Sequence, residues 1–197
     1  MPRVGLAAPA VITAAAGLAD EVGYQQLTMG LLAERLGIRT PSLYKHVNGL
    51  ADLQHRIATL AMIELGDRLT DAIGGRSGRD ALAAFATAFR DYVIRHPGRY
   101  TATIGARVTG PDDPLQAASA RVLATIAAVL RGYGVPAEQT DHALRTLRSM
   151  FHGFATLQAA HAFQWDADTD DSFRWLIDFV DRGLCDRGST RTLGYRK

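Results

Sequence analysis

Residues 28–49 read TMGLLAERLGIRTPSLYKHVNG, and the spacing of the threonines, glycines and single proline in that stretch decides the fold. Thr28 is placed to accept a hydrogen bond from the free amides of a new helical first turn. Leu32, Ala33 and Leu36 then form a buried stripe before Gly37 stops the run. After Gly37 and Ile38, Thr40 offers an N-cap and Pro41 the residue best suited to the first helical position, so a second short helix is predicted through Val47, with Leu43 facing inward. Asn48-Gly49 ends it. Two short helices separated by about three residues that include a glycine are the sequence form of a helix-turn-helix.

Working outward, Val11, Ala15, Leu18, Ala19 and Val22 recur at helical spacing and Gly23 closes their run, which predicts a helix before the pair. On the other side, Leu53, Ile57, Leu60, Ala61, Ile63 and Leu65 keep one broad apolar face over 50–73, a connecting helix. The stretch GGRSG at 74–78 is a flexible break. A helix from about Arg79 to Arg95 stops at His96-Pro97-Gly98, because the residue before a proline disfavours the helical region. Residues 111–114 break the chain again, and further helices are predicted over 115–132, 137 to about 163, and 172–184. The expected fold is all-α with about nine helices: a three-helix head over 1–48, a larger helical body over 49–187, and a flexible basic tail over 188–197.

Composition agrees with this and narrows the function. The chain has 197 residues, 47% of them hydrophobic, enough for a small head and a larger body. Cys185 is the single cysteine, so no intramolecular disulfide forms and the cytoplasm is the expected compartment. The apolar opening runs on into Asp20 and Glu21 and reads as an amphipathic helix, not a secretory leader. No stretch stays apolar for the ~20 residues of a membrane span, so no membrane partner is expected. The net charge of +2 says little alone, but from Arg35 to Asn48 there are three basic side chains, one histidine and no acid. Such a patch suits a polyanion, and it equally suits a solvated helix face.

An enzyme is not indicated, and no catalytic residue is assigned. There is no G-x-S-x-G, and GGRSGRD at 74–80 lacks the lysine and hydroxyl that close a phosphate-binding loop. No two histidines stand four apart with a carboxylate or cysteine partner, so neither a metal nor another cofactor is expected.

Residues 11–53, VITAAAGLADEVGYQQLTMGLLAERLGIRTPSLYKHVNGLADL, resemble the DNA-binding head of the tetracycline-repressor (TetR) family. The resemblance rests on an ordered set: E-x-G after the first helix, L-T-M at the start of the second, L-A-x-x-L-G-I, T-P-S-L-Y-K-H-V, and a downstream A-D-L. It implies a transcriptional regulator, most simply a repressor of double-stranded operator DNA. It places Arg39, Thr40, Pro41, Ser42 and Lys45 on the groove-facing side of the recognition helix, with Tyr44 and His46 toward the backbone. Arg39 or Lys45 suits guanine O6 and N7, Ser42 suits either base type, and Pro41 suits a thymine methyl. Thr28 and Tyr44 are placed for phosphate, and Arg3 for a phosphate or minor groove reached from an arm. The chain departs from the family in having Gly49-Leu50-Ala51 where a lysine often begins the fourth helix, so a familiar phosphate contact is missing or made by backbone amides. Thr28 and Thr40 serve equally as helix caps, and the Tyr44 ring equally packs on the first helix.

One head covers one half-site, so the resemblance also implies a homodimer whose recognition helices stand about one DNA turn apart. Leu144, Leu147, Phe151, Phe154, Ala155 and Leu157, with Phe173, Leu176, Ile177, Val180 and Leu184, form two stripes suited to a four-helix interface or to the core of one subunit. In this family the body receives a small-molecule effector. Met62, Phe89, Tyr92, His96, Tyr100, Met150, Phe154 and Trp165 are the candidate lining, although aromatic stripes at helical spacing also make ordinary core. A regulator controlled by a protein partner, or an activator, would carry the same head.

Overall fold

The computed structural model describes residues 7–189. Among them the chain forms nine α-helices and no strand: α1 (Ala8–Val22), α2 (Met29–Arg35), α3 (Thr40–Leu43), α4 (Leu50–Ile73), α5 (Gly78–Arg95), α6 (Pro97–Gly105), α7 (Pro114–Gly132), α8 (Thr140–Ala159) and α9 (Thr169–Ser189). Short 3₁₀ turns precede α2 (Tyr24–Gln26) and α8 (Ala137–Gln139). The all-α expectation holds. Arg3 and residues 190–197 of the expected basic tail lie outside the described residues.

Several helix ends differ from the sequence reading for identifiable reasons. Thr28 caps α2 as expected, its Oγ1 accepting the Leu31 amide at 3.2 Å. Thr40, expected as the cap of α3, instead occupies its first helical position, because Arg39 is the last residue with extended backbone, at φ −81° and ψ 141°. Regular α-helix also stops at Leu43 and not at Val47. The Leu43 carbonyl takes both the His46 amide at 2.8 Å and the Val47 amide at 3.1 Å, which closes the segment as a turn. At 96–98 the chain stops one helix and starts another. His96 is non-helical, and Pro97 opens α6 at the position where its missing N–H costs nothing. α8 ends at Ala159, short of Phe163, and His161 follows in the left-handed region at φ 52°. α9 begins three residues early because the Asp168 carboxylate accepts the Asp171 amide at 2.8 Å.

The described chain divides into two compact units, one holding the residues up to Glu64 together with Arg95–Ala118, the other Leu65–Ile94 and the residues from Ser119 on. In the first, Val11, Ala15, Leu18 and Ala19 of α1, Leu32 and Ala33 of α2, Leu43 of α3, Val47, and Leu53, Ile57 and Ala58 of α4 form one buried cluster, which Ala102 of α6 joins. A helix as short as α2 or α3 is not stable alone, so this cluster is what holds them.

The second unit has its own core. Leu82, Phe85 and Tyr92 of α5, Ile126 and Leu130 of α7, Leu147 and Phe151 of α8, and Phe173 and Ile177 of α9 are buried. The Phe151 ring meets Phe85 edge-on at 6.0 Å and Phe173 at 6.3 Å between centroids, linking α5, α8 and α9.

Candidate nucleic-acid interface

The α2–α3 pair is built so that a single turn of helix carries most of the candidate contacts. Gly37, at φ 62°, turns the chain between the two helices in a conformation that side chains with a Cβ rarely adopt. Leu43 and Val47 are fully buried, pinning both ends of the recognition segment. With these two held inward, Arg39, Pro41, Tyr44 and Lys45 are left exposed, and Thr40, Ser42 and His46 half-buried. Tyr44 is 58% exposed, so its ring does not pack away on α1. Thr28 is exposed at the start of α2 while its hydroxyl oxygen serves the cap.

Charge separates the basic residues of this stretch. Arg35 lies bidentate on Glu21 of α1, with Nη1 at 2.9 Å from Oε1 and Nη2 on Oε2. That hydrogen bond holds the Glu21 carboxyl below its usual range and the Arg35 guanidinium above its own. Arg35 therefore ties α2 to α1. The side chains of Arg39 and Lys45 have no ion-pair or hydrogen-bond partner among the described residues. The patch read from the sequence thus reduces to two uncommitted cations beside a half-buried histidine, flanked by the Tyr44 hydroxyl. Exposed donors without internal acceptors, on a rod one turn long, match the phosphate and base-edge acceptors of a major groove.

At the start of α4, Gly49 turns at φ 97° and the Asp52 carboxylate accepts the Asn48 amide at 2.8 Å and Arg56 Nε at 2.9 Å. Partial burial works against ionisation of Asp52, but these two donors keep its carboxyl below the usual range. The Asn48 amide is therefore committed within the chain.

Residues 11–48 match the family model for bacterial regulatory proteins of the tetR family, and residues 82–180 the tetracyclin repressor-like C-terminal domain. The uncharacterized HTH-type transcriptional regulator YobS of Bacillus subtilis (strain 168) is 32% identical over 184 residues, 93% of this chain and 95% of that protein. The chain belongs to the TetR family. The uncharacterized HTH-type transcriptional regulator Rv0681 of Mycobacterium tuberculosis (strain ATCC 25618 / H37Rv) is 34% identical over 172 residues, 87% of this chain and 78% of that one. Among solved structures, the Q116A variant of TetR from Acinetobacter baumannii AYE in complex with minocycline superposes with a TM-score of 0.68 at 27% identity. It covers 91% of this chain and 96% of that one. The protein is thus a TetR-family helix-turn-helix transcriptional regulator, and no helix among its described residues is long and apolar enough to cross a membrane.

The residues expected to line an effector pocket fall in both compact units. Met62, His96 and Tyr100 belong to the first compact unit, and Phe89, Tyr92, Met150, Phe154 and Trp165 to the second. Tyr92 is fully buried beneath the Arg68 guanidinium, and Phe89 stacks on Phe85 within the core. Phe154 packs with Phe163 and Phe173, and the Arg90 guanidinium lies over the rings of Phe154, at 5.8 Å, and Phe173, at 4.6 Å. Trp165 lies on the α8–α9 connection, 66% exposed, its ring edge-on to Phe163. Met150 alone of the eight lines a cavity of about 540 Å³ between α8 and α9, with Val135, His142, Leu147, Phe179 and Leu184. His152, on the same helix, is held below its usual range by burial and by Arg148.

The two stripes read as a subunit interface have also sorted themselves. Leu147, Phe151, Ala155, Phe173, Ile177, Val180 and Leu184 are buried within the single chain and therefore serve its core. Leu157, Trp175 and Phe179 are exposed, and the last two stack at 5.4 Å one helical turn apart on α9. Sequence reasoning passed over Trp175 and Phe179, although their i, i+4 spacing was a usable signal.

Proposed function

We propose that this regulator is a ligand-responsive repressor that binds a palindromic operator as a homodimer and is released from it by a small molecule. The observation that carries the reading is the recognition turn itself: the Arg39, Tyr44 and Lys45 side chains are exposed and hydrogen-bonded to nothing among the described residues, while Leu43 and Val47 fix the turn from behind. Arg39, Thr40, Pro41, Ser42 and Lys45 would face base edges, with Thr28, Tyr44 and His46 toward phosphate, and Arg3 as a further contact to the duplex.

Pairing through α8 and α9 is supported by the exposed Leu157, Trp175 and Phe179, large apolar side chains that a lone chain leaves in water. Release by a small molecule is supported by the relative crystallised with minocycline. Of the eight candidate lining residues, Met150, on the wall of the cavity between α8 and α9, is the one we propose an effector touches. For release, the effector must bind the DNA-incompetent state more tightly than the competent one.

Selection of fragments from genomic DNA by the purified protein, followed by chromatography with mass detection, tests the proposal. Recovery of duplexes carrying inverted repeats by a species of twice the chain mass supports it. Recovery of no preferred sequence, or tight binding by a monomer, overturns it.

A further inference from the structure

The first compact unit holds a cleft of about 550 Å³ that recognition of DNA leaves unused. Its volume is that of a small-molecule site. α4 lines it with Asp52, Arg56, Leu60 and Ile63, positions three or four apart that share one face of the helix. α1 adds Ile12, and the α6–α7 connection adds Pro114. The cleft shares no residue with the cavity between α8 and α9, which belongs wholly to the second unit.

Along α4 the polar residues come first and the apolar ones follow. At the polar end the acids are already satisfied. The Asp113 carboxylate, with 3% of its side-chain surface exposed, accepts the Thr109 amide and hydroxyl, the Leu115 amide, and His55 Nε2 at 3.0 Å. Since a carboxylate only accepts, His55 donates from Nε2 and its ring is pinned. Asp52 spends Oδ2 on the Asn48 amide and Oδ1 on Arg56 Nε. Donors are what remain. Arg56 is anchored through Nε, while its Nη1 and Nη2 have no partner among the described residues. A guanidinium held in this way offers a carboxylate two parallel N–H groups already oriented. It is a single cation beside the charge of Asp52, which suits a singly charged head better than a phosphate dianion.

The apolar end lacks a cover. Ile63 is 44% exposed, a large apolar side chain left in water at the rim of the cleft. It stands seven residues beyond Arg56, about 10 Å along the helix axis, the reach of an extended chain of about eight carbons.

We propose that this cleft binds a small monocarboxylate with an aliphatic tail, the carboxylate on Arg56 Nη1 and Nη2 and the tail along Leu60, Ile63 and Ile12. Binding here requires neither an operator nor a second subunit, so the inference stands or falls independently of the reading of the chain as a repressor.

The test titrates the full-length protein with octanoate, octanamide and butanoate, by calorimetry and by NMR of isoleucine, leucine and methionine methyl groups. Octanoate should shift the methyl signals of Ile12, Leu60 and Ile63 and leave that of Met150 in place. Octanamide, which lacks the charge, and butanoate, which lacks four methylenes, should each bind about tenfold or more weakly. Arg56→Gln should weaken octanoate by about tenfold or more and Arg56→Lys by less. Ile63→Glu, at an exposed position that leaves the core intact, should weaken octanoate by a similar factor, and melting curves establish that each variant is folded. Equal binding of octanoate and octanamide overturns the proposal, as does wild-type affinity for octanoate in folded Arg56→Gln and Ile63→Glu. A shift of Met150 without Ile63 places the ligand in the other cavity and also overturns it.

Discussion

Truncating Leu43 to alanine removes the inner anchor of the recognition turn without touching any side chain that faces outward. Leu43 is fully buried in the cluster formed by α1, α2, Val47 and α4. The substitution deletes three carbons, and at about 0.8 kcal/mol per buried methylene the lost transfer energy is about 2.4 kcal/mol. A cavity left by incomplete collapse adds to this, so about 3 kcal/mol is expected, within the range of buried leucine truncations. Since 1.4 kcal/mol is a factor of ten, local opening of the turn should become about a hundredfold more frequent. The Val47 amide reports this directly, because it is bonded to the Leu43 carbonyl and exchanges with solvent only when the turn opens. Amide exchange at Val47 should accelerate by about that factor, and affinity for a selected operator should fall although Arg39, Tyr44 and Lys45 are unchanged. A loss of under about 1 kcal/mol, with normal operator affinity, would refute the claim that packing from behind holds this helix.

Thr28→Ala should cost about 1 kcal/mol of head stability through the lost cap, and weaken binding to all duplexes alike, as measured by thermal melting and by titration of cognate and scrambled DNA. Trp175→Glu together with Phe179→Glu should shift the chain toward monomer in sedimentation, because both exposed rings lie on α9 and neither belongs to the single-chain core. The Asp113 carboxyl is held well below the ordinary carboxylate range by the Thr109 amide, against the opposing effect of desolvation, with further help from the Leu115 amide and His55. Its folded-state value is depressed, so its contribution is complete above the ordinary carboxylate range and is lost as pH falls below that range toward the depressed value. Urea unfolding followed below pH 5 should therefore weaken less steeply with acid in Asp113→Asn than in the wild type.

The head was legible because its signals are local. A threonine at an N-cap, a glycine at positive φ between helices and a proline in a first turn each act within four residues, so the sequence reports them directly. The limits of α3 were less legible, since the closing bonds to the Leu43 carbonyl depend on how Leu43 and Val47 are buried. α6 escaped for a different reason. His96-Pro97-Gly98 was read as a stop, but the same proline opens the next helix, and PGRYTATIG has little intrinsic helix preference. Burial against α1 supplies what propensity lacks.

In the body, a stripe such as Leu147, Phe151 and Ala155 has the same period whether it meets its own chain or a second subunit, so spacing had no means of assigning it. The same limit applies to Phe89 and Tyr92, apolar positions that suit a pocket or a core equally. The hydrogen bonds from Arg99 to Asp20 and Glu64 join residues 79 and 35 positions apart, a pairing that only the folded chain brings together.

The uncommitted charge of the recognition turn is what would hold DNA, and binding of a selected duplex across a series of salt concentrations measures it. Log affinity should fall linearly with log salt. The slope should become shallower by about one unit when Lys45 is replaced by alanine, and Arg39→Ala should relax preference at one base position while the fold is retained. Equal slopes and equal sequence preference for wild type, Arg39→Ala and Lys45→Ala would contradict it, because DNA would then be held by some other surface.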